Sequence, residues 1–105
     1  MNGIGQGQSE LPPQLESIQF SLGRLVTLTY NEPLDGFTAF DGFTLYENGE
    51  ERPIESALCI DGETHFYLDA DQLVSAITHV SYSGNQVVSA STGKAALPFM
   101  MHPVS

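Results

Sequence analysis

Residues 24–30 read R-L-V-T-L-T-Y. Val26, Leu28 and Tyr30 fall on one side of an extended chain, and Leu25, Thr27 and Thr29 on the other. Side chains alternate across a strand with period two, and β-branched and aromatic residues fit a pleated, half-buried surface. The run therefore predicts a strand whose Val26/Leu28/Tyr30 face enters a core. Asn31, Glu32, Pro33, Leu34, Asp35 and Gly36 then break it.

The same pattern recurs on either side. Residues 15–20 alternate weakly, with Ile18 and Phe20 in phase. Residues 43–47 place Phe43 and Leu45 inward, and Asn48-Gly49 follows as a hairpin turn, because both positions tolerate positive φ. A return strand is expected over residues 53–60, with Pro53 marking an edge or a strand start. Asp61-Gly62 repeats the turn signal, and residues 64–68 come back with Phe66 and Leu68 inward. Residues 69–76 suit one helical turn at a crossover, and residues 77–83 form a strand with Val80 and Tyr82 in phase. Residues 87–90 suit a short pairing segment, and residues 97–104 a final strand whose Pro98 and Pro103 place it at an edge.

About seven short strands with closely spaced turns and almost no helical periodicity predict an all-β, immunoglobulin-like β-sandwich. A small closed barrel is the structural competitor. The gaps are too short for the helices a parallel sheet needs. The expected core is Val26, Leu28, Phe43, Leu45, Phe66, Leu68, Val80 and Tyr82. With 105 residues the chain is one domain. Residues 1–13, rich in Gly and Gln and ending in Pro12-Pro13, read as a flexible linker, and residues 14–105 as the domain.

Charge excludes several classes of function. Thirteen acidic residues against three basic ones leave a net charge of −10. Such a surface repels phosphate backbones and anionic membranes, so neither nucleic-acid binding nor membrane insertion is expected. It suits calcium, cationic partners or plain solubility. No stretch approaches the length and apolarity of a spanning helix, and residues 1–10 lack the basic and apolar regions of a signal peptide. Cys59 stands alone in an apolar run and reads as a small core residue.

No catalytic motif is present. The Gly-Ile-Gly-Gln-Gly stretch at residues 3–7 neither follows a strand nor opens a helix, so it is no phosphate loop. His65, His79 and His102 lack the paired spacing of a zinc site. The expectation is a protein that is not an enzyme and needs no cofactor, with calcium as the one candidate ion. Asp35, Asp69 and Asp71, at predicted strand ends, are its candidate ligands. Glu32 and Asp41 are further loop acids. Tyr46 and Tyr67 are out of phase with their inward neighbours. Together with His65 and Thr44 they are expected on a solvent-facing sheet, where aromatic rings could stack on a polysaccharide. The absence of Trp weighs against carbohydrate binding.

Three segments in order carry a resemblance: LVTLTYNEPLD at 25–35, FTLYENGEE at 43–51 and ITHVSYSGNQVVSASTGKAALPF at 77–99. The set resembles the bacterial immunoglobulin-like repeats of large secreted and surface proteins, of the type named after a cyanobacterial swimming-motility protein. Similar repeats sit beside catalytic modules in polysaccharide-degrading enzymes. The chain departs from that pattern where Ser91-Thr92-Gly93 replaces an acidic residue. The resemblance implies a sandwich that acts as a spacer, accessory or adhesive module of a larger exported protein, outside the cell or at its surface. Its partners would be neighbouring domains of the same polypeptide. The alternative is a carbohydrate-binding module.

Overall fold

The computed structural model describes residues 11–105; of the linker expected over residues 1–13, residues 1–10 lie outside the described residues. Eight strands follow one another: β1 (Leu15–Ser21), β2 (Leu25–Tyr30), β3 (Phe43–Glu47), β4 (Glu50–Arg52), β5 (Ile54–Leu58), β6 (His65–Ala70), β7 (His79–Tyr82) and β8 (Phe99–Pro103). They form two antiparallel four-stranded sheets, ordered β1-β2-β6-β5 and β4-β3-β7-β8. This is the immunoglobulin-like arrangement: the seven-strand constant type, widened by β4 beside β3. The strand count is thus eight where about seven were expected.

All eight expected core residues are buried between the sheets. Ile18, Tyr30, Leu34, Ala57, Cys59, Ala70, Ile77, Val87 and Ala96 complete the core. The Phe43 ring is its hub, stacked on Tyr82 with centroids 4.4 Å apart and tilted against Phe66 at 5.5 Å. Such pairs add to the burial of apolar area that drives the sheets together.

Asn48 (φ 52°) and Gly49 (φ 88°) make the two-residue turn between β3 and β4, with Glu47 opposite Glu50. The return strand of this hairpin is shorter and earlier than the one expected over residues 53–60, and the expected segment forms β5 in the other sheet. Residues 50–52 pair with β3, whereas Ile54 already pairs with Ala70 of β6 in the other sheet. Pro53 sits at this change of sheet, where its missing N–H costs no ladder bond. The helical turn expected over residues 69–76 is absent: β6 continues to Ala70, and a bent segment follows. Hydrogen bonds from Asp71 N–H to Pro53 and from Val74 N–H to Gly23 hold that segment without helical bonds.

The last strand lies at an edge and is bulged. Register shifts between Val80 and Tyr82, and Met101 (φ 50°) turns its N–H inward onto Ser81 Oγ at 2.8 Å. Bulges and prolines blunt an edge against pairing with another chain.

Strand directions define two poles. At the first lie Leu15, Tyr30 and His65, and the chain enters β1 there, where Asn31 N–H bonds Gln14. Phe99 lies at the same pole, sharing a cavity with Leu15 and Tyr30. From Phe99, opposite Tyr82, β8 runs to Pro103, opposite His79, toward the second pole. Val104 N–H then bonds Thr78, and Ser105 N–H bonds Ile18 of β1 at 2.8 Å. The first and last strands therefore run in the same direction, and the chain just after β8 meets β1 at Ile18.

Candidate interaction surface

The sequence-predicted site residues do not assemble as expected. Tyr67 and His65 stand on the outer face of the β1-β2-β6-β5 sheet, since Phe66 and Leu68 between and beyond them are fully buried. Their rings meet edge-to-face, with centroids 5.3 Å apart. Tyr46 belongs to β3, and its inward neighbour Leu45 faces the same core from the other sheet. Tyr46 and Tyr67 therefore occupy opposite outer faces of the sandwich and form no shared aromatic platform. Thr44 lies with Tyr46, away from His65.

The candidate calcium ligands are also separated. Asp69 pairs opposite Leu25 near the second pole, and Asp71 follows it. Asp35, whose N–H bonds Val88, lies in the connection after β2 at the first pole. His65 to Asp69 alone spans about 13 Å along β6 at the rise of a strand. Among the described residues, no group of three or more His, Cys, Asp or Glu side chains could hold a metal ion.

Other polar groups are tied into the fold. Glu32 accepts a hydrogen bond from Ser89 Oγ, which also accepts from Ser91 N–H (3.2 Å) and Thr92 N–H (3.1 Å). This loop acid thus orders the Ser91-Thr92-Gly93 turn. Glu47 bonds Arg52 at 2.9 Å, and the guanidinium, helped by the amides of Ala76 and Ser75, holds its carboxyl below the usual range against the opposing effect of burial. Cys59 is buried, and its pKa is pushed up to about 11 by burial and by the nearby charges of Asp61, Asp35 and Glu63. Low-pKa thiolates are the reactive ones, so this thiol is inert at neutral pH.

The outer face of the β1-β2-β6-β5 sheet carries a groove of about 310 Å³ lined by Leu25, Ser56, Leu58, Tyr67 and Asp69. The register builds it: Leu25 and Ser56 flank Asp69, and Thr27 and Leu58 flank Tyr67. Tyr67 was legible as an outward strand residue, whereas Asp69 was expected in the loop after it and joins the same face because β6 continues to Ala70. Leu25, Ser56 and Leu58 were missed, because they join the groove only through the pairing of β6 with β2 and β5. The opposite outer face carries a larger groove of about 460 Å³ along Thr44, Tyr46, Ser81 and the exposed Met100.

Among the described residues no helix is long and apolar enough to cross a membrane. No family model, curated protein or solved structure matches the chain.

Proposed function

We propose that the chain is a non-catalytic interaction module: a spacer or accessory immunoglobulin-like unit of a longer exported polypeptide. The observation that supports this reading is the path of the backbone. The chain enters β1 at one pole, and β8 delivers it toward the other. A sandwich threaded in this way can be strung end to end with neighbours without folding back over its own sheets. The interior is filled by the side chains of both sheets, so function belongs on the outer faces, edges and poles.

The polysaccharide reading loses its paired rings, because each outer face retains one of the two tyrosines. Solution scattering from two copies of the chain joined in tandem tests the spacer reading. The expected result is a maximum dimension close to twice that of one copy. A compact side-by-side pair overturns it. Affinity electrophoresis through gels containing soluble polysaccharides separates the two functions: unchanged mobility favours the spacer, and retardation favours the carbohydrate-binding module.

A further inference from the structure

We propose that the groove over β6 receives a lysine or arginine side chain presented by a basic polypeptide partner. This inference rests on the reading of the chain as an interaction module and adds the chemistry of what it meets. Tyr67 and Asp69 lie two residues apart on one strand, so an aromatic ring and a carboxylate share the floor at a spacing of about 7 Å. Leu25 and Leu58 stand on the flanking strands, and Leu58, the last residue of the edge strand β5, is 47% exposed beside Tyr67. Ser56 Oγ donates to Asp69 Oδ2 at 3.3 Å and fixes the carboxylate's orientation. Apolar walls, a ring and an oriented carboxylate match a long aliphatic stem that ends in a cation.

Charge selects this occupant over a neutral one. The chain has three Lys and Arg residues against thirteen acids. The cation nearest the groove, Arg24, is engaged by Glu55 at 2.6 Å and by the Ala70 carbonyl at 3.0 Å. Arg52 is held by Glu47 and Glu50. The net charge of −10 steers a basic partner toward the chain, and Asp69 is the carboxylate among the groove's lining residues that orients it there. A sugar would stack on Tyr67 alone and would draw little from the charge of Asp69.

The test is a titration of the isotope-labelled 105-residue chain, followed by amide chemical shifts. The probes are a five-residue blocked Gly peptide with a central Lys, the same peptide with an acetylated Lys, and cellohexaose. The lysine peptide is expected to shift Leu25, Ser56, Leu58, Tyr67 and Asp69 selectively. Acetylation and Asp69→Asn should each weaken the effect at least fivefold. Asp69→Asn keeps the shape of the side chain, and an unchanged melting temperature shows that its fold is intact. Absent shifts, shifts spread over the whole surface, or equal binding by Asp69→Asn overturn the proposal. Selective shifts with cellohexaose instead assign the face to a glycan. The scattering experiment on tandem copies is independent, so failure here is distinguishable from failure of the spacer reading.

Discussion

The phenolic oxygen of Tyr82 accepts a hydrogen bond from the N–H of Val87 at 3.1 Å, in the buried core. Tyr30, stacked on Phe66 of the neighbouring strand in the same core, has no hydrogen-bond partner for its hydroxyl among the described residues. The two tyrosines should therefore respond oppositely to loss of the hydroxyl. Tyr82→Phe strands a buried amide and should cost about 1–3 kcal/mol. Tyr30→Phe removes a desolvated, unpaired group and should be neutral or slightly stabilising. Urea unfolding of both variants checks this; equal losses would refute the distinction.

Gly42 lies at the Tyr82 end of the β3–β7 strand pair. Its φ is 84°, and a Cβ placed there would come within 2.6 Å of the Gly84 backbone nitrogen. Strand β3 begins at the next residue, and Ser83 N–H bonds the Gly42 carbonyl at 2.9 Å. Gly42→Ala combines an unfavourable backbone conformation with a backbone clash and should destabilise by about 2 kcal/mol or more. At Gly49, where a Cβ would meet nothing within 4 Å, only the conformational part should be lost. A smaller loss at Gly42 than at Gly49 in thermal melts would contradict this account.

Cys59 gives the fold a sensitivity to alkali. Its thiol pKa is raised from 9.0 to about 11 in the folded chain. The unfolded chain thus releases this proton first, and the native state binds more protons between those values. Stability is fully present below about pH 9 and declines as pH rises toward 11, by on the order of 2 kcal/mol. Cys59→Ala should flatten that decline in denaturant titrations run at several pH values. A thiol reagent at pH 8 should label Cys59 only as fast as the protein opens.

Leu22 offers a gain. It sits at the tip between β1 and β2 with φ 57° and is 82% exposed. Asn adopts this left-handed conformation at lower cost than Leu. Leu22→Asn should raise stability by about 0.5–1 kcal/mol, read as a higher urea midpoint. A lower midpoint would mean that Leu22 packs against something its exposure does not reveal.

Strand phase was legible because burial repeats every second residue. Val26 and Leu28, Phe43 and Leu45, and Phe66 and Leu68 were assignable as inward from their own short runs. Period two tells inside from outside but not which sheet a strand joins. That is why Tyr46 and Tyr67 read as companions although a whole core separates them. The change of sheet at Pro53 was hidden for the same reason: residues 53–60 read as the return of the Asn48-Gly49 hairpin, and only the pairing of residues 50–52 with β3 and of Ile54 with β6 shows otherwise. The groove beside Tyr67 required lateral register, which local sequence does not encode when the turns between strands are long.

The shared direction of β1 and β8 has a mechanical consequence. Tension applied through the two ends pulls β1 along its own axis toward the first pole and β8 toward the second. The β1–β2 ladder, from Leu15 opposite Tyr30 to Ser21 opposite Leu25, then bears force parallel to its strands. Its hydrogen bonds share the strain together instead of opening one after another like a zip. The Ser105–Ile18 and Val104–Thr78 bonds lie in the same path, at the point where the chain leaves the sandwich. Pulling single molecules by their termini should therefore give one abrupt rupture per domain, whereas pulling from Ser21 and Leu25 should peel the same ladder at lower force.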